Sequence, residues 1–341
     1  MRVLHVRNVN EALYDGLCLL HTDGRYTPSR GGAVLEIAGP VATVYICPQE
    51  RVLFHPVRDA NPFFHLFEAL WILAGHQDVA FLAQFNENMR RFSDNGKTFH
   101  APYGFRLRKH FHDGEGPIDQ LGRVVRMLTA SPGSRQAVLQ IWDATMDLGA
   151  TSKDIPCNDL IMLSVREDAL NMMVCCRSND LLWGTYGANA VQFSMLLEYL
   201  AARIGVVMGT LTQLSWSYHA YCERADWPKM VDQMKFHKNS FDAADLYLHS
   251  DVLPVRLVHD HLTFDTELER FLADPLDELG EMAAGDMRSW NNRFFALVAL
   301  PMYQAFVAHK RDNTGLRVLH EDSYDIDWLE AGRQWLARRE A

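Results

Sequence analysis

Apolar positions in this chain recur with two periods, and each change of period marks an element. Strict alternation predicts a strand over 2–6, two strands over 33–46 parted at Gly39-Pro40, and a strand over 137–142. It predicts two more strands over 160–165 and 170–176, joined as a hairpin at Arg166-Glu167-Asp168, and another over 209–220. Helical spacing predicts helices over 10–20, 62–74, 80–91, 118–129 and 190–204. The 62–74 segment, PFFHLFEALWILA, is the clearest, with proline at its start and Gly75 past its end. The 190–204 helix is apolar almost all round, as a helix buried on several faces would be. Residues 27–32 (TPSRGG) read as a turn or loop, 252–258 as short strands, and 293–309 and 326–339 as helices. This order predicts an α+β fold: a mostly antiparallel or mixed sheet packed by long helices.

Composition narrows the function. The chain has 341 residues, 48% hydrophobic and 22% charged, enough for a sizeable core. Its net charge of −10 argues against a broad nucleic-acid groove, yet allows a small phosphorylated ligand gripped by a few arginines. Six cysteines occur without CxxC spacing, so reduced thiols and a cytoplasmic setting are expected. The first residues lack the apolar block of a signal peptide, and no apolar run reaches membrane-spanning length. Fifteen histidines bring no convincing zinc-ligand company, so no metal is expected.

Candidate chemistry concentrates in 156–189, PCNDLIMLSVREDALNMMVCCRSNDLLWGTYGAN. A lone cysteine is more often structural than reactive, and Cys175 and Cys176, inside a strand pattern, take that reading. Cys157 stands apart, after Pro156 and before Asn158 and Asp159, at a strand entrance where a thiolate could act as nucleophile. Arg177 with Ser178, Arg135 in SPGSRQ and Arg30 in PSRGG could clamp a phosphate, though each alone could be a solvated arginine. His219 and Tyr221 share one strand face and suit a sugar hydroxyl. Glu68, on a strongly apolar helix, needs a raised pKa, a partner or a surface-facing position, and the first would fit proton transfer through water.

The order PC, two strands, RSxD, a glycine loop with asparagine, a long helix and HxY resembles the thymidylate synthase family, including its pyrimidine nucleotide hydroxymethylases. The likeness runs from about Arg30 to about Tyr221. It implies a catalytic domain over 1–260 and a divergent helical extension over 261–341. It also implies a homodimer through the sheet, and 5,10-methylenetetrahydrofolate as cosubstrate. By the same resemblance Cys157 adds to C6 of a pyrimidine monophosphate. Arg30, Arg177 and Ser178 hold the phosphate, with Arg135 donated from the other subunit. Asp180 and Gly184 meet the folate, Asn189 reads the base, His219 and Tyr221 bind the sugar, Glu68 organises proton transfer, Tyr103 lies near the nucleophile, and Arg177 helps keep Cys157 ionised.

Departures from the family pattern set the finer expectation. The histidine after the nucleophile is Asn158, the second arginine of SRR is Gln136, and 86–100 contains no tryptophan. The loop before Asn189 is one residue longer, and the charged WLARREA stands where the family has an apolar closing segment. These changes favour a hydroxymethyl over a methyl product, since water could capture the one-carbon group. They lean towards deoxycytidylate, with deoxyuridylate the alternative that an amide at 189 suits. A non-catalytic nucleotide- or RNA-binding regulator is the alternative of another class.

Overall fold

The computed structural model describes residues 1–223, 226–236, 238–273, 290–320 and 325–340. Eight strands form one mixed sheet: β1 (Arg2–Val6), β2 (Arg25–Ser29), β3 (Gly32–Glu36), β4 (Val41–Tyr45), β5 (Val138–Gln140), β6 (Asn158–Arg166), β7 (Ala169–Asp180) and β8 (Val207–Tyr221). The order is β1-β4-β8-β7-β6-β5, with β3 also on β8 and β2 on β3. β1–β4 and β7–β8 pair parallel, and the other pairs are antiparallel.

The predicted β6–β7 hairpin turns at Glu167 and Asp168, both left-handed with φ of 50° and 58°, as a two-residue hairpin demands. From the end of β7 the chain crosses to parallel β8 through a π-helical turn (Leu181–Ala188) and the Asn189–Ile204 helix. The register of that pair sets Ser178 beside Ser217 and Asp180 beside His219. Residues 39 apart thereby share one end of the sheet.

The Pro62–Ala74 helix forms as predicted. Asn61 caps it by accepting from the Phe64 amide at 3.1 Å, and left-handed Gly75 (φ 70°) ends it. Every residue of this helix is buried, because it lies between the Asn189–Ile204 helix and three later helices, Phe264–Ala273, Leu300–Asp312 and Asp327–Ala337. Phe67 stacks on Phe85 (4.4 Å) and meets Phe271 and Tyr303, while Phe63 meets Trp335. The helices after residue 260 therefore share the main core, although 274–289 and 321–324 of that segment lie outside the described residues.

Several sequence expectations need correction. Residues 25–29 form β2 rather than a loop, so the 27–32 turn shrinks to Arg30-Gly31. The 80–91 helix breaks at Asn86, whose side chain caps a separate 3-10 turn, Glu87–Phe92. No strand spans 252–258; Pro254 interrupts it, and only Leu253 makes a bridge, to Ile326. No helix among the described residues is long and apolar enough to cross a membrane.

One face of the sheet is sealed by the helices; the other is half open. Leu160, Met162, Met173, Thr212 and Leu214 are only partly covered, and Trp216 is 71% exposed.

Candidate functional site

Cys157 stands where the chain enters β6, and Arg177 of β7 comes to it through the hairpin. The Arg177 backbone amide donates to the Cys157 carbonyl at 2.9 Å. Its guanidinium donates from Nε to the Pro156 carbonyl (2.8 Å) and from Nη2 to the Ile155 carbonyl (3.0 Å), with Sγ of Cys157 at 3.9 Å. Arg177 thus pins the 155–157 segment. Arg30, on the β2–β3 turn, adds a second positive field at the same thiol. That turn rides on Tyr221: a Cβ at Gly31 would fall 2.9 Å from the Tyr221 ring, so only glycine permits the approach.

Arg177 pulls the Cys157 thiol pKa down, the direction expected of it, but burial is the larger effect. Burial pushes the thiol pKa up and outweighs the pull of Arg177 and Arg30, and Asp154 and Asp159 push it further. A charge argument from sequence neglects desolvation. That balance favours the protonated thiol, so attack on a ligand entails loss of its proton.

Glu68 projects from the middle of its buried helix. Burial raises its pKa from 4.5 to about 8, against a 2.6 Å hydrogen bond donated by Gln192 Nε2. Gln192 lies three residues after Asn189 and so on the same helical face. The Asp154 carboxylate, held by the Ala101 amide at 2.9 Å, acts electrostatically on Glu68, Cys157 and Tyr103 alike. The four groups therefore share one site. Burial also holds the Tyr103 hydroxyl well above its usual pKa. Sequence reasoning missed Gln192 and Asp154. A glutamine in an apolar helix and a carboxylate three residues before the nucleophile were the available signals.

The chain before Asn189 winds as a π-turn. The Asn189 amide donates to the Gly184 carbonyl, five residues back, and the backbone kinks at Tyr186-Gly187. A helix can thus begin at Asn189 with its amide buried among Asn158 and Asn179. Asp180 caps this turn by accepting from the Leu182 amide at 3.1 Å, and Trp183, 37% exposed, lies against Phe64 at 5.7 Å.

His219 faces Ser217, whose hydroxyl lies 3.2 Å from Nδ1 and also donates to Glu36. Its ring meets Tyr221 edge-on at 5.4 Å. Ser178 lies beside Ser217 at the same sheet end. Arg135 is not brought into this cluster: it is exposed in the loop before β5 and forms no hydrogen bond or ion pair among the described residues. Those residues include no group of three or more histidines, cysteines or carboxylates arranged for a metal.

The geometry can therefore deliver a thiol, a proton-holding carboxyl, an amide edge and cations to one small polar ligand. Comparison with known proteins gives this arrangement its family. The thymidylate synthase family model matches residues 60–271. A deoxyuridylate hydroxymethyltransferase of Pseudomonas phage M6 is 40% identical over 100% of this chain and 95% of its own length. A second protein of that name, from Bacillus phage SP01, is 41% identical over 61% of this chain and 56% of its own length. A putative thymidylate synthase of Methanosarcina mazei is 28% identical over 69% of this chain and 95% of its own length. The chain belongs to the thymidylate synthase family and is a C5 one-carbon transferase.

Proposed function

We propose that this enzyme hydroxymethylates C5 of deoxyuridylate, with Cys157 forming a covalent bond to C6. The observation that carries this reading is the buried amide of Asn189, with no carboxylate in its place, beside the nucleophile segment. An amide complements the N3–H and O4 edge of uracil. The names of both phage relatives point the same way. The sequence-based lean to deoxycytidylate gives way to the deoxyuridylate alternative.

Cys157 adds its sulfur to C6 as the thiol proton leaves, and the ring becomes electron-rich at C5. Glu68, neutral at pH 7 and anchored by Gln192, holds and moves protons through water on the base. Arg177, Arg30 and Ser178 take the phosphate, and His219 and Tyr221 the sugar. The π-turn fits a flat heterocycle: the Asp180 carboxylate and the exposed Trp183 indole flank Gly184. When bound there, methylenetetrahydrofolate supplies a one-carbon unit to C5, and water completes a hydroxymethyl group. The tryptophan-free 86–100 stretch, which carries exposed Arg91 and Phe92, supports access of that water.

Residues 1–260 act as the catalytic unit in this reading, and the helices after 260 buttress the Glu68 helix. Phage relatives and unpaired cysteines support action in a cytoplasm, that of a host cell if the gene is a phage's. The half-open sheet face supports a homodimer, and exposed Arg135 supports donation to the partner's phosphate. Mixing Cys157→Ala with Arg135→Ala chains is then expected to restore activity that neither has alone. No recovery would separate Arg135 from the site.

The product decides the reading. Deoxyuridylate with methylenetetrahydrofolate is expected to give 5-hydroxymethyldeoxyuridylate and tetrahydrofolate. Thymidylate with dihydrofolate, or turnover of deoxycytidylate in preference, would overturn it.

A further inference from the structure

Four neutral side chains form one buried line across the site. Asn158 Nδ2 donates to Asn189 Oδ1 at 3.4 Å, Asn189 Nδ2 to Asn179 Oδ1 at 3.1 Å, and Asn179 Nδ2 to Ser215 Oγ at 2.9 Å. They come from β6, the Asn189–Ile204 helix, β7 and β8. Their exposures are 1% for Asn158, 7% for Asn189, 2% for Asn179 and 0% for Ser215, so each link replaces water. The line is tightly enclosed: a Cβ at Gly184 would stand 2.7 Å from Asn179 Oδ1 and 3.4 Å from Asn189 Nδ2.

An amide's oxygen and nitrogen have almost the same shape, so only hydrogen-bond partners decide which way it faces. Uracil offers N3–H and O4; cytosine offers N3 and N4–H2, the opposite order of donor and acceptor. A half-turn of one amide about Cβ–Cγ would therefore exchange the base it prefers. We propose that Asn158, Asn179 and Ser215 are positioning residues that fix the facing of the Asn189 amide, and so select uracil over cytosine. This deepens the deoxyuridylate reading and rests on Asn189 as the group that reads the base.

The links all donate in one direction, from β6 towards β8, so reversal must be collective. Ser215 would have to donate to Asn179, Asn179 to Asn189 Oδ1, and Asn189 Nδ2 to residue 158. A carboxylate accepts only. Asn158→Asp forces Asn189 Nδ2 towards residue 158 and turns the amide over. Asn179→Asp adds the same charge on the other side, yet keeps Asn189 facing as it does now.

The test is calorimetric binding of deoxyuridylate and deoxycytidylate to each variant without folate. A misoriented amide exchanges two matched contacts for two mismatched ones, and about tenfold is expected in the preference ratio. Asn158→Asp should move the ratio towards deoxycytidylate by that factor, and Asn179→Asp should leave it favouring deoxyuridylate. An unchanged ratio in Asn158→Asp, or an equal shift in both, overturns the proposal. If Asn158→Asp does not fold, Ser215→Ala carries the test: losing the β8 acceptor should weaken the preference severalfold, and an unaltered preference overturns the proposal. Asn189→Ala separates the two levels. Preference that survives it removes Asn189 as reader. Preference lost there but unmoved in Asn158→Asp refutes the line alone.

Discussion

Replacing Cys157 with alanine is expected to lower turnover by more than about 10⁴-fold while leaving the fold intact. The reaction needs a soft nucleophile that can add to C6 and later leave. Alanine offers none, and no other thiol takes its place: Cys176 is buried, burial pushes its pKa far above the usual thiol range, and its Sγ donates to the Ser178 carbonyl at 3.1 Å. Because burial also raises the Cys157 pKa, the native rate should climb with pH as the thiol becomes easier to deprotonate. Alanine removes that dependence together with the activity. Steady-state kinetics, with circular dichroism as the check on folding, measures both. Residual turnover within tenfold of the native rate would exclude Cys157 as nucleophile.

The second large effect belongs to Glu68. Glu68→Gln keeps shape and hydrogen bonding to Gln192 but cannot exchange a proton, and a loss of about 10²–10⁴-fold in kcat is expected. Stability should move the other way. The folded-state pKa of about 8 lies above the ordinary 4.5, so the folded protein holds a proton that the unfolded chain releases. The carboxyl is therefore tolerated fully below about pH 4.5, and stability is lost progressively as pH rises to about 8, by an amount on the order of 5 kcal/mol. Glutamine escapes this penalty. The melting temperature of Glu68→Gln should exceed the native value at pH 8 and converge with it at pH 5. A variant as active as the native enzyme, or one no more stable than the native protein at pH 8, would contradict a buried protonated carboxyl.

Local signals made much of the fold legible. Pro62 and Gly75 punctuate one helix so clearly that its bounds could be read directly, and Arg166-Glu167-Asp168 marks a hairpin. Failures came where a distant partner decides. Residues 27–32 contain Pro28 and two glycines, so they read as a turn, yet β3 supplies a strand partner for 25–29. Residues 252–258, rich in valine and leucine, read as short strands, yet among the described residues only Leu253 finds a partner, Ile326.

The site shows the same division. Cys157, Arg177 and Asn189 were readable because their order in sequence carries the family likeness. Gln192, Asp154 and Asn179 were not, because a buried polar residue reveals its role only through the partner it meets. Arg177 shows the converse. Its nearness to Cys157 was foreseen, but desolvation of the thiol, a property of the packed core, sets the direction of the pKa.

The central claim is a bond between the Cys157 sulfur and C6 of the pyrimidine. Fluorine at C5 cannot leave as a proton does, so 5-fluorodeoxyuridylate should halt the reaction while that bond is intact. After incubation with methylenetetrahydrofolate, digestion and mass spectrometry should find the nucleotide on the peptide that carries Cys157 and on no other. An adduct on a different cysteine, or none from protein that still turns over deoxyuridylate, would contradict the account.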